Sequence, residues 1–222
     1  WSDKNPYYKT IMNFFSQVLP NENVRKYFLN ALCTGLAGTN KEEKLYILTG
    51  SGSNGKSLVM DLMCLAMGDY YMSCPIAMMT NKRGKSNETS PEKVRMKGRR
   101  CGCFQETDDG EKFNVGIMKE FTGGDKVLVR DLFKGSQEMI EFKPQMKYFL
   151  TCNQLPEVPS TDDGTWRRLR VIAFTSKFTN NPTKANEFPI DTMLKQKIES
   201  WGPAFLSYLI HIYNTEYKNK TY

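Results

Sequence analysis

Apolar side chains recur at helical spacing at the start of the chain. Ile11, Phe14, Phe15 and Val18 share one face, and Pro20-Asn21-Glu22-Asn23 ends the run. Phe28, Leu29, Leu32 and Leu36 mark a second amphipathic helix, after which Gly35 and Gly38 lead into a polar connector over 39–44. The pattern then changes. Residues 45–49 form a short apolar, β-prone run, and the apolar stretch from Leu58 predicts a helix to about Met67, ended by Gly68-Asp69. Further buried strands are expected over 99–106, 146–152 and 171–174. A helix over 112–125 should close at Gly123-Gly124. Residues 127–129 and 139–142 read as a hairpin whose turn holds Phe133-Lys134-Gly135-Ser136. Residues 80–93 and 175–190 are polar and connector-like. A last helix spans 191–211, with a break at Gly202-Pro203 that could make it two, and residues 218–222 read as frayed.

This order predicts an α/β fold with a central, mostly parallel sheet, flanked by N- and C-terminal helical elements. The expected division is a helical subdomain over 1–40, an α/β core over 41–178 and a helical segment over 179–222. The alternative for the first part is ordinary core helices with no separate role.

Between the first strand and its helix sits Gly50-Ser51-Gly52-Ser53-Asn54-Gly55-Lys56-Ser57, which fits G-x-x-x-x-G-K-[ST] at every fixed position. Glycines let such a loop curl so that backbone N–H groups face phosphate oxygens, and the following helix adds the positive end of its dipole. Lys56 can reach the β- and γ-phosphates, and the Ser57 hydroxyl can ligate Mg²⁺. The nucleotide-binding stretch is therefore taken as Gly50 to Ser57 with Leu58, and the cofactors as ATP and Mg²⁺.

Composition narrows the partners. The 222 residues carry 31 Lys and Arg against 24 Asp and Glu, a net charge of +7, which is compatible with a polyanion. Six cysteines without a C-x-x-C pair argue against a zinc site and for a reducing, intracellular setting. His211 is the only histidine, which nearly excludes a histidine general base. No apolar stretch has the length of a membrane span and no signal-peptide pattern opens the chain; a start at Trp1 predicts a piece excised from a longer protein.

Other chemistry follows the strands. Glu106 ends the strand over 99–106, where it could polarise an attacking water; Gln105 beside it could orient a metal-bound water without adding charge. Asn153 follows the next strand and could hold a γ-phosphate, although a turn residue is the commoner meaning of such an Asn. Arg167-Arg168 could supply charge to a transition state in a neighbouring subunit, or form a basic patch or an internal ion pair. The hairpin tip pairs Phe133 with Lys134, a combination suited to single-stranded nucleic acid, or simply an exposed turn. Lys82, Arg83 and Lys85 lie in a basic loop that could touch phosphates or be merely solvated.

Taken together, Gly-Ser-Asn-Gly-Lys-Ser, the run Lys119-Glu120-Phe121-Thr122-Gly123-Gly124-Asp125 and the phrase Thr151-Cys152-Asn153-Gln154-Leu155-Pro156 resemble the superfamily III helicases. The chain is most similar to the poxvirus-type primase–helicases of large cytoplasmic DNA viruses and their satellite-phage relatives. The resemblance covers residues 45–174 most strongly. It implies an AAA+-like core assembled as a homo-hexameric ring, with ATP between subunits and the hairpin gripping single-stranded or forked DNA during viral DNA replication. It further implies Lys56 and Ser57 on phosphate and Mg²⁺, Glu106 as catalytic acid near the metal, Asn153 as γ-phosphate sensor and Arg167 or Arg168 as a finger acting in trans. Lys134, with Lys126, Arg130 and Phe133, would contact DNA. A primase domain would lie upstream in the full chain, and the setting would be the host cytoplasm, away from membranes. The competing classes are a nucleotide-binding loader or scaffold with little turnover and a small-molecule P-loop kinase.

Overall fold

A computed structural model describes residues 4–82, 89–105, 112–133, 135 and 138–218. In chain order, helices α1 (Tyr8–Val18) and α2 (Glu22–Cys33) precede strand β1 (Leu45–Thr49) and helix α3 (Lys56–Met67). Strand β2 (Tyr71–Cys74), two single-turn helices α4 (Ala77–Thr80) and α5 (Pro91–Val94), strand β3 (Cys101–Gln105) and helix α6 (Val115–Gly123) follow. Next come β4 (Val127–Val129), β5 (Ile140–Phe142), β6 (Lys147–Cys152), α7 (Asp163–Trp166) and β7 (Leu169–Ala173). A short pair, β8 (Lys177–Thr179) and β9 (Glu187–Pro189), leads to α8 (Leu194–Glu199) and α9 (Gly202–Ile212).

The strands pair in the order β2-β3-β6-β1-β7, so β6 enters the sheet between β1 and β3. β3 runs parallel to β2 and to β6, with Cys101 opposite Lys147 and Gln105 opposite Thr151. The Leu45 N–H donates to Arg168 O and the Phe174 N–H to Thr49 O, so β1 and β7 also run the same way. Parallel strands are covered on both faces, and β1, β3 and β6 accordingly are buried almost without a break rather than on alternate residues. This is the expected α/β class with a central, mostly parallel sheet and flanking helices.

The chain divides into two compact units, each discontinuous in sequence. One comprises residues 1–37, 48–68 and 172–222. Its core is aromatic and helical: Phe15 stacks on Phe205 at 5.3 Å, Phe14 meets Trp201 at 5.9 Å, and both α1 rings are buried. Gly202 lets α9 approach α3, because a Cβ there would lie 3.0 Å from Leu65 O. The other unit, residues 38–47 and 69–171, is built on Tyr148, with Phe121 and Phe104 stacked on it at 5.8 and 6.3 Å.

Local chemistry sets the element ends. Asn21 and Asn114 accept the Val24 and Ile117 N–H groups and so cap α2 and α6, and Gly124 stops α6 at φ 75°. The break at Gly202-Pro203 does make two helices, because Pro203 lacks the N–H that a continuous helix needs and is at home in the first turn of α9. Residues 175–190 depart from the connector expectation. β8 and β9 pair in parallel there, joined by Phe178 and Phe188 at 5.9 Å, with polar residues on either side that mask them in the sequence. β2 was likewise not expected, and Pro91–Val94 is helical within the polar loop; Arg83 and Lys85 lie outside the described residues, whereas Lys82 is exposed.

Lys147 opens β6 with a side chain only 1% exposed, and Glu42 meets it in a buried ion pair. Removing one partner of such a pair costs far more than replacing both with apolar groups. Glu42→Gln is therefore expected to destabilise the protein by about 3 kcal/mol, and Glu42→Leu with Lys147→Met to recover most of it. Urea unfolding of the three proteins measures this.

Candidate functional site

The phosphate loop joins β1 to α3 as the motif requires. Gly50, Gly52, Ser53 and Gly55 all take positive φ (154°, 66°, 45° and 87°). Such left-handed residues are the backbone condition for a nest of N–H groups around one anion. Gly50 is irreplaceable on contact grounds, since a Cβ there would fall 2.4 Å from Asn54 Nδ2 and 2.5 Å from Phe174 O. At Gly55 a Cβ would meet Val18 at 2.8 Å. The one non-glycine in the set, Ser53, is held by the Phe178 N–H, which donates to its carbonyl at 2.7 Å.

Lys56 begins α3 and is only 6% exposed. Its ammonium folds back over the loop, donating to Gly50 O at 2.5 Å and to Asn54 Oδ1 at 3.1 Å. Asn54, itself buried, donates through Nδ2 to Phe174 O at 3.5 Å, which ties the loop to the end of β7. Ser57 is exposed in the first turn of α3 and Leu58 is half-buried; Ser51 and Gly52 are exposed. The residues present fit a magnesium nucleotide. A glycine-rich loop with left-handed backbone and a lysine match phosphate oxygens, and a hydroxyl is the hard oxygen ligand that Mg²⁺ takes.

In the second unit, the parallel register sets Gln105 opposite Thr151, so Gln105 and Asn153 leave neighbouring strands at the same end. The Thr151 hydroxyl donates to Phe104 O at 3.4 Å and ties the two strands there. Both Gln105 and Asn153 are exposed. Glu106 lies outside the described residues.

Arg167 and Arg168 follow α7, whose start is fixed by Asp162. That carboxylate accepts from the Thr165 N–H at 3.0 Å, from the Thr165 hydroxyl at 2.8 Å and from Lys119 Nζ at 2.8 Å. Both arginines converge on one acid that the motifs did not single out. Arg167 Nη2 and Arg168 Nη2 donate to the same Glu43 oxygen at 2.8 and 2.9 Å. They differ in exposure: the Arg168 side chain is 11% exposed and also donates to Gly164 O at 2.5 Å, whereas that of Arg167 is 60% exposed. Glu43 has no local signal in the sequence, being one polar residue of a polar connector.

The hairpin is present. β4 and β5 pair antiparallel, and Lys126 donates to Glu141 at 2.7 Å at its base. Arg130 is half-buried and its backbone carbonyl accepts the Ser90 N–H. Phe133 stands at the connection with φ 60° and a fully exposed ring, 102% of its reference area. Lys134 lies outside the described residues. Among the described residues, no helix is long and apolar enough to cross a membrane.

A family model described as a family of unknown function (DUF5906) matches residues 48–168. The chain is 44% identical over 213 residues to "Putative helicase L207/L206" of Acanthamoeba polyphaga mimivirus, which covers 91% of this chain and 22% of that protein. It is 30% identical over 189 residues to "Putative primase C962R" of African swine fever virus, covering 85% of this chain and 19% of that one. The chain thus spans about a fifth of the length of the curated relatives it matches. Among solved structures, the apo NrS-1 C terminal region superposes with a TM-score of 0.67 at 16% identity, over 90% of this chain and 45% of that chain. At that identity the likeness is one of fold. Relatives named for helicase and primase in large DNA viruses are what the motif resemblance implied.

The Asp162 carboxyl is held well below the usual carboxylate range, first by the Lys119 hydrogen bond and then by the Ser160 and Thr165 hydroxyls. A depressed folded pKa contributes stability that is present above the unfolded value and lost as pH falls toward the folded one. Asp162→Ala should therefore melt lower than wild type at neutral pH, and the gap should narrow below about pH 4. Thermal melts from neutral pH to about pH 3 check this.

Proposed function

We propose that this chain, which belongs to the family of unknown function DUF5906, is the ATP-hydrolysing motor segment of a viral DNA helicase that works with a primase. The observation that carries the proposal is the phosphate loop, with its four left-handed positions and the Lys56 ammonium stowed on Gly50 O and Asn54 Oδ1. Bound Mg²⁺·ATP supplies the phosphoanhydride bond and the cation that neutralises phosphate charge. The residues of this chain do the rest. Loop N–H groups and Lys56 hold the phosphates, Lys56 exchanging Gly50 O and Asn54 Oδ1 for phosphate oxygens. Ser57 would hold the cation, and Gln105 would orient a water beside it. Glu106 takes the proton of the attacking water, and Asn153 positions that water against the terminal phosphate.

Arg167 is the better finger of the two, because its guanidinium is exposed while that of Arg168 is built into the fold. The finger acts on nucleotide held by a neighbouring subunit of a homo-hexameric ring. Phe133 and Lys134, backed by Arg130, grip single-stranded or forked DNA by stacking and charge, while Lys126 is already paired with Glu141. The setting is the replication site of a large DNA virus inside its host cell, which the names of the relatives support.

ATP hydrolysis by the purified protein should rise with protein concentration and with single-stranded DNA, and Lys56→Ala should abolish it. Turnover indifferent to both concentration and DNA would mean a self-contained ATPase and would remove the ring and the hairpin from the mechanism. Arg167→Ala should lower turnover by about a thousandfold with little effect on ATP affinity or melting, on the scale seen for arginine fingers. Arg168→Ala should lower the melting temperature, because it strips contacts from Glu43 and Gly164. Kinetics and melts on both variants test the assignment.

A further inference from the structure

Glu43 stands in the lead-in to β1 at φ 51°, a backbone conformation uncommon for a side chain of its size. One of its oxygens is shared by two guanidinium groups, those of Arg167 at 2.8 Å and Arg168 at 2.9 Å. Lys44 adds a third cation, donating to Arg167 O at 2.6 Å, and its ammonium is pushed down by burial and then by Arg170 and Arg167. The cluster is short of acceptors. Arg168 Nε is buried with no hydrogen-bond partner among the described residues, and one carboxylate oxygen serves both guanidinium groups. Such a cluster attracts a group that brings several oxygens and negative charge, as a polyphosphate does. The two arginines are unequal toward it. Arg168 is largely covered and also bound to Gly164 O, whereas Arg167 projects with most of its side chain in solvent.

We infer that Glu43 is a latch: its carboxylate parks Arg167 against its own subunit, and the guanidinium leaves it for the phosphates held by a second copy of the chain. This rests on the proposed function for the destination of Arg167, but not for its parking. Glu43 is a positioning residue, acting through Arg167 and touching no nucleotide itself. The release is a simple exchange of ion pairs, carboxylate for phosphate, with no bond made or broken.

Glu43→Gln keeps the shape and removes the charge. Arginine-selective dicarbonyl labelling, with fragment mapping that separates the two sites, reads the latch without nucleotide. Arg167 labelling should rise about threefold, the scale of one exposed ion pair, while Arg168 labelling stays unchanged. General loosening would raise both, and unchanged Arg167 labelling would mean that Glu43 does not restrain it; either result overturns the latch. In the hydrolysis assay, the protein concentration giving half-maximal turnover should fall by a similar factor, with KM for ATP unchanged. A fall in turnover that tracks a fall in melting temperature would make Glu43 a structural ion pair and overturn the proposal. Absence of hydrolysis in wild type and variant alike would overturn the ATPase reading and the destination of Arg167, and the labelling would still decide the latch.

Discussion

An ammonium group that water barely reaches sets the terms for the loop around it. Lys56 is 6% exposed, and a buried charge without partners is prohibitive. Two of its acceptors come from the loop itself, Gly50 O and Asn54 Oδ1, and they close the loop on its own lysine. Closure demands left-handed backbone at Gly50, Gly52, Ser53 and Gly55. Asn54 is then committed through its other amide atom to Phe174 O, and Ser53 O to the Phe178 N–H. The segment leaving β7 is thereby fixed to the loop, and with it the start of the β8–β9 pair. Neutral acceptors satisfy the ammonium adequately but not as well as an anion does, so the same contacts that stabilise the loop leave Lys56 ready to exchange them.

The second unit solves a related problem with a different device. Residues 40–44 look like a bland polar connector, yet four of the five side chains there reach residues distant in the sequence. Asn40 donates to Thr122 O at 3.2 Å, Glu42 meets the buried Lys147, Glu43 bridges Arg167 and Arg168, and Lys44 donates to Arg167 O. The left-handed turn at Glu43 is what lets adjacent acids face different cations. This short stretch thus joins the start of β6, the end of α6 and the arginine loop before the chain enters β1.

The contrast explains what was legible in the sequence. The loop at 50–57 was readable because its spacing has essentially one backbone solution, and β1, β3 and β6 because strands buried on both faces are predominantly apolar. The hairpin and the closing glycine of α6 were readable from local turn chemistry. Glu43 was not, because its partners lie more than 120 positions away and nothing local distinguishes it from Glu42. β2 escaped for a similar reason: it is a short edge strand with an exposed Ser73, and its place is given by β3 rather than by its own pattern. β8 and β9 depend on one aromatic contact across a polar loop. Two residues that the motif order singles out, Glu106 and Lys134, lie outside the described residues.

The hairpin shows where charge and exposure part company. Lys126 looks from composition like a DNA contact, but its ammonium is already paired with Glu141, whose hydrogen bond and charge raise its pKa. Charge at the base of the hairpin is largely internal to it. At the connection, Phe133 holds a fully exposed ring in a left-handed backbone, with Leu132 beside it half-exposed. Folding gives no return for presenting an aromatic in that way, since the ring buries nothing and the backbone is strained. A partner with flat apolar faces does give one, and stacking supplies about 1–3 kcal/mol per base in single-strand binders. The proposed grip on DNA therefore falls on the tip, where stacking carries the contact, and the basic balance of the chain serves to bring the strand near.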